Sequence, residues 1–222
     1  MSISKRLLLL VFFIVLPLTV SARDFSRMFP ASELQRANGV YSPNIQGMLF
    51  EDIARYLSGD ELATLQRVQL LQPWRRTEDP FEFSANSATG EMLVPTFSLK
   101  FFDELAIATA WFERFGCNKE SVFDYVAAMD YSNLDLPNPL AAPNVPDQAY
   151  KLDNFVDEVS QKTLKSALAV ILLHELGHTP SRHRQYGQIN ANHALAQETE
   201  SGRFALTVRR RRCPPRAPGF PR

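Results

Sequence analysis

Between Leu152 and His178 the chain has no proline, no glycine before Gly177, and it closes on the sequence HELGH. A run of that length without a breaker predicts one long helix. On it Ala167, Ile171, His174 and His178 follow spacings of 4, 3 and 4, so both imidazoles continue the stripe expected to pack against the rest of the chain. An imidazole taken out of water without a partner costs on the order of a few kcal/mol. Two of them, one turn apart on one face, point to a shared partner, and the partner that suits this spacing is a zinc ion. Glu175 leaves the helix on a neighbouring azimuth, from which it can reach a water on that metal.

All four histidines of the chain, His174, His178, His183 and His193, fall within twenty residues. An HExxHxxGxxH arrangement would need glycine at 181 and histidine at 184. Ser181 and Arg184 stand there, and that arrangement is excluded. His183, one position off and after Pro180, is expected as an exposed loop residue. Downstream, NANHALAQETESGRFAL reads as a second helix capped by Asn190 or Asn192. In it Ala194, Glu198, Ser201 and Ala205 form a stripe of mainly small residues that allows close approach to another helix. Glu198 points into that packing face and is the expected third metal ligand. Glu200 lies about 200° round the helix and is expected to pair with Arg203 at the surface.

The start of the chain carries a different signal. Lys5 and Arg6 precede an apolar run from Leu7 to about Val20 that ends in Ser21 and Ala22, the pattern of a secretory signal peptide over residues 1–22. The run is shorter than the roughly 20 residues a spanning helix needs, so cleavage near Ala22 and a periplasmic or secreted protein are expected, with an uncleaved membrane anchor as the alternative. No later stretch is long and apolar enough to span a bilayer. Outside the cytoplasm Cys117 and Cys213 meet an oxidising compartment and are chemically able to pair; the position of Cys213 in the tail argues against it. Six of the 24 Lys and Arg residues lie from Arg209 onward and two in the signal segment. The 16 between residues 23 and 208 face all 24 acidic residues, an excess of eight negatives that gives no footing for nucleic acid.

The 222 residues suffice for one domain with a core. Residues 23–44 read as a poorly defined lead-in. From Ile45 to Leu71 apolar residues at near-helical spacing, broken at Ser58, Gly59 and Asp60, predict two short helices. Two β-prone runs, Phe81 to Phe83 and Met92 to Phe97, predict a hairpin whose second strand, containing Pro95, lies at an edge open to an extended peptide. Ser98 is the expected cap of a helix to Gly116, and a short helix is expected from Val122 to Met129. The proline-rich stretch from Tyr131 to Pro146 reads as a loop. Residues 207–222, rich in Arg and Pro, read as a basic, unstructured tail, whether the product of a truncation or frame change or a segment for acidic surfaces.

HELGH followed after 19 residues by the glutamate of QETESGRFAL resembles the gluzincin metallopeptidases, in particular small members whose HExxH helix precedes a helix reading ExxAD. The resemblance covers about Ser160 to Leu206, with a looser likeness in the upstream block MLVPTFSLKFFDELAIATAWF. It implies His174, His178 and Glu198 as zinc ligands and Glu175 as catalytic base. It also implies an α+β fold over residues 45–206: a mainly helical zincin-like domain with a small antiparallel hairpin or sheet beside the HExxH helix. The expected activity is hydrolysis of peptide or protein substrates through a metal-activated water. No oxyanion-stabilising group is assigned; Tyr186 and His193 are the candidates. Where the family has an aspartate that orients a zinc-bound histidine, this chain has Gly202. Loss of such a partner costs about 10–100-fold in metal affinity or activity, which leaves a zinc-binding pseudopeptidase and an envelope interaction protein as the other readings.

Overall fold

The computed structural model describes residues 25–74, 79–131, 136–179, 181, 183, 184 and 188–212. The signal segment, Tyr186 and residues 213–222, with Cys213, lie outside these. The architecture is mostly helical around one small sheet, which fits the α+β class. Among the described residues no helix is long and apolar enough to cross a membrane.

The lead-in is a helix rather than an undefined segment. Helix α1 (Ala31–Gly47) starts after Pro30, whose fixed φ suits the position. It passes through Pro43 into a π-helical stretch, Met48–Ile53, and a 3-10 turn, Ala54–Tyr56. Only Leu34 and Ile45 of α1 are buried. Its hold on the next long helix, α3 (Thr96–Phe115), is largely polar: Thr96 donates to Asn38 at 2.7 Å, Tyr41 donates to Asp103 at 2.6 Å, and Lys100 pairs with Glu33 at 2.8 Å. Helix α2 (Gly59–Leu65) follows the expected break and is capped by the Ser58 amide donating to Glu61 at 2.5 Å.

The hairpin forms, but it is shifted and part of a larger sheet. Strands β1 (Gln69–Leu71), β2 (Ser84–Asn86) and β3 (Glu91–Leu93) lie in the order β1-β3-β2, so β3 is central, parallel to β1 and antiparallel to β2. The sheet is therefore mixed, and β2, not the strand before Pro95, is the outer member of the hairpin. The turn between β2 and β3 needs Gly90: its φ is +77°, and an added Cβ would sit 2.8 Å from the Arg67 carbonyl oxygen. Pro95 ends the extended segment and is the cap position of α3, which places Ser98 inside the helix, fully buried, instead of at its start.

Helix α3 ends at Gly116 in the left-handed conformation (φ 68°). Helices α4 (Glu120–Tyr131) and α5 (Ala149–Leu152) flank the expected proline-rich loop. Helix α6 (Asn154–His178) begins where Asp153 accepts from the amides of Phe155 and Val156, at 2.8 and 3.2 Å. It packs along α3 on one side and α7 (Ala191–Arg212) on the other. The helix runs to Arg212, six residues beyond the expected end of the folded part. Burial explains why: Ala205 and Val208 are 3% and 2% exposed and join Leu172 and Leu176 in the core, so the first arginines ride on a helix that is already docked.

Candidate metal centre

The last turn of α6 and the middle of α7 cross at unusually short range, and glycine makes that possible. A Cβ at Gly177 would meet the Ser201 Cα at 3.0 Å and the Phe204 Cβ at 3.2 Å. Ser201 opposite it is fully buried. One turn earlier on α7 is Glu198, which this close crossing sets level with His174. Gly202 has nothing within 4 Å of where its Cβ would be, so the space on that side of α7 is open among the described residues.

His174, His178 and Glu198 each offer one ligand atom, and these atoms lie within 4.8 Å of one another. The two Nε2 atoms are 3.3 Å apart. Glu198 reaches His174 Nε2 at 2.8 Å through Oε2 and His178 Nε2 at 3.4 Å through Oε1. Such a group has the geometry to hold a metal ion. Glu175, beside them, is 8% exposed. Burial first, and the charge of Glu198 second, raise its pKa to about 7, against the opposing effect of the Ala85 amide of β2, which donates to it. Burial also dominates at His178: it pulls the imidazole down to about 4 against the attraction of Glu198, with His174 and His183 adding to the fall.

A cavity of about 460 Å³ opens beside these groups, between α6, α7 and the outer strand β2. Ser84, Ala85 and Asn86 form one wall, His174, Glu175, His178 and Glu198 the other. No known family, curated protein or solved structure matches the chain significantly. The chemistry must therefore be argued from the geometry itself.

The remaining expectations fare unequally. His193 is exposed at the start of α7, its amide bonded to Asn190 at 3.0 Å, and it is not among the residues lining the cavity. Tyr186 lies outside the described residues. Cys117 is a free, exposed thiol. His183 is not an exposed loop residue: its side chain is 7% exposed and its Nδ1 is 2.9 Å from Nδ1 of His178. Glu200 turns towards His183 and Ser181, at 3.0 and 2.6 Å, and not to a surface pair with Arg203 alone. The four-histidine cluster was the only sequence signal for His183, and helix azimuth misled for Glu200 because the loop folds back over that side of α7.

Proposed function

We propose that the chain is a zinc-dependent metallopeptidase, zincin-like in fold, in which His174, His178 and Glu198 would hold the metal and Glu175 is the general base. The observation that carries this is convergence. Two imidazoles from one helix and a carboxylate from another meet at one point, next to a buried carboxyl group and at the edge of a cavity. Two histidines and a glutamate are a donor set that zinc uses in catalytic sites, where a fourth position stays open. Donors about 2.0–2.1 Å from a tetrahedral ion lie about 3.3 Å from each other. The separations of 3.3 and 3.4 Å around His178 fit that figure, and the third, 2.8 Å, is a hydrogen bond between His174 and Glu198.

When bound, zinc would supply Lewis-acid polarisation of the scissile carbonyl and a lowered pKa for water. Glu175 accepts a proton from the attacking water and returns it to the leaving amine. Among the described strands β2 has a neighbour on one side only and walls the cavity, so a peptide laid along it would be recognised through the main chain more than through side-chain sequence, with the Ala85 amide already engaged by Glu175. This replaces the expected use of Met92 to Phe97, since β3 already has a strand on each side. The signal-like pattern of the first 22 residues supports export, to the periplasm or the medium, or retention at the membrane if the segment is uncleaved. A zinc-binding chain without turnover is the second reading, and Gly202 favours it.

The test is zinc content and peptide hydrolysis of the purified chain, its Glu198→Ala variant and its Glu175→Gln variant. About one zinc per wild-type chain, sharply reduced by Glu198→Ala, is the expected result. Hydrolysis should fall about 10²–10⁴-fold in Glu175→Gln with zinc retained. A wild type that takes up no zinc after refolding with metal would sink the proposal; zinc without hydrolysis would select the second reading.

A further inference from the structure

His178 uses one ring nitrogen towards His174 and Glu198; the other is not left to solvent. Its Nδ1 lies 2.9 Å from Nδ1 of His183, whose Nε2 is 3.0 Å from Glu200 Oε2. The second Glu200 oxygen accepts from the Ser181 hydroxyl at 2.6 Å. We infer that His183 and Glu200 form a relay that positions the ring of His178 and fixes which of its nitrogens carries the proton. The inference deepens the metal-site reading above and rests on it for its functional consequence.

Proton counting supports the relay. The Glu200 carboxylate accepts only, so the His183 nitrogen facing it must carry a proton. With that single proton on Nε2, His183 accepts at Nδ1, and the proton in the imidazole–imidazole bond belongs to His178 Nδ1. The lone pair of His178 Nε2 is then directed at the point where Glu198 and His174 converge, as a metal ligand requires. Glu200 is suited to its place: one carboxyl oxygen faces His183 and the other accepts from the Ser181 hydroxyl, which fixes the carboxylate's orientation.

The relay is also fixed in space, which a solvated loop histidine would not be. Ser87, in the turn after β2, donates to the His183 carbonyl. Gln197 of α7 clamps the next residue on both sides of its backbone, accepting from the Arg184 amide at 2.8 Å and donating to the Arg184 carbonyl at 3.0 Å. Ser201 Oγ comes to 3.4 Å from His183 Nδ1. His183 and Glu200 are positioning residues, because neither is among the three groups that converge on the metal point.

Zinc alone is the probe, on the full chain. Competition against a chromophoric chelator gives the zinc affinity of the wild type, His183→Ala, Glu200→Ala, their double variant and Glu200→Gln, with the visible spectrum of the cobalt-loaded proteins as a second readout. Each alanine variant should bind zinc about 10–100-fold more weakly, with a shifted cobalt spectrum. The double variant should be no weaker than His183→Ala, because both changes break one relay. Glu200→Gln, which keeps an acceptor, should recover part of the loss. A folded Glu200→Ala that binds zinc within about two-fold of wild type, or losses that multiply in the double variant, would overturn the relay and leave the zinc site intact. Long-range proton–nitrogen spectra of the metal-free chain read the relay without metal: His183 protonated at Nε2, with signals that move in Glu200→Ala. Their absence overturns the relay; their presence in a wild type that binds no zinc keeps the relay and sinks the zinc reading.

Discussion

Two groups of ionisable side chains, each built round a buried glutamate, differ in what surrounds that glutamate. Between α1 and α3, Lys100 is held by Glu104 at 2.7 Å and Glu33 at 2.8 Å, and its ammonium lies 4.9 Å from the Phe29 ring centre. Between α6 and α7, Glu175, Glu198, His174 and His178 gather with no lysine or arginine among the groups that shift Glu175 or His178. Both groups contain a glutamate raised to about 7 by burial, Glu104 in the first and Glu175 in the second. Neighbouring carboxylates add to the rise at both, Glu33 and Asp103 at the first and Glu198 at the second, but only at Glu104 does a lysine work against it. The first cluster carries its own cation, although Oε2 of Glu104 is buried without a hydrogen-bond partner. The second borders the cavity, which Arg184 also lines, and gathers two imidazoles and two carboxyl groups with no lysine or arginine bonded among them. Buried charge alone therefore does not mark a functional site; its setting, beside a cavity and among possible metal donors, is what separates the second cluster from the first.

The contrast can be broken at three points. Lys100→Met should have the largest effect, about 3–5 kcal/mol of stability lost at pH 8, because it strands a buried carboxylate. The loss should shrink at pH 5, where Glu104, with its folded pKa near 7, is already neutral in the native chain. Denaturant unfolding at the two pH values reads this, and an equal loss at both would show that the lysine does not serve Glu104.

Gly177→Ala should cost about 1–3 kcal/mol, since the new methyl meets α7 backbone at 3.0 Å and must push the helices apart. Its zinc affinity should fall with it, because Glu198 moves with α7. A neutral or stabilising result in thermal unfolding would mean that α7 yields freely and does not hold Glu198 in place.

Glu175→Gln should have the smallest effect on stability and the opposite sign. A carboxyl whose folded pKa is raised stabilises fully below its unfolded value of 4.5, and that contribution is lost as pH rises through about 7. Glutamine does not ionise, so the metal-free variant should gain ~1 kcal/mol over the metal-free wild type at pH 8 and show no gain at pH 5. A variant destabilised at pH 8 would make Glu175 a structural group like Glu104 and remove the contrast.

Legibility differed in the same way between the two regions. Helix α6, its stripe and the HELGH spacing could be read directly, because helical period fixes which side chains share a face. Glu198 could be read from the small residues around it, since only a helix that packs closely has reason to carry Ser201 and Ala205 there. Helix α1 could not, because its ties to α3 run through Glu33, Asn38 and Tyr41, and polar contacts leave no hydrophobic period. Strand β1 was read as helix, since Gln69–Leu71 is too short for a period and is recruited only by its pairing with β3. Parallel pairing joins residues distant in sequence, and that pushed β3 to the centre and gave the cavity to β2.

By itself the sequence determined the long helix, the pair of imidazoles on its face and the small-residue stripe that carries Glu198. All of these follow from the 3.6-residue period of a helix. Only the tertiary structure decided that Ala85 would donate to Glu175, that the outer strand would be β2, and that His183 would lie between His178 and Glu200 of α7. Each of those contacts joins segments whose meeting is set by packing, and packing is a property of the whole chain.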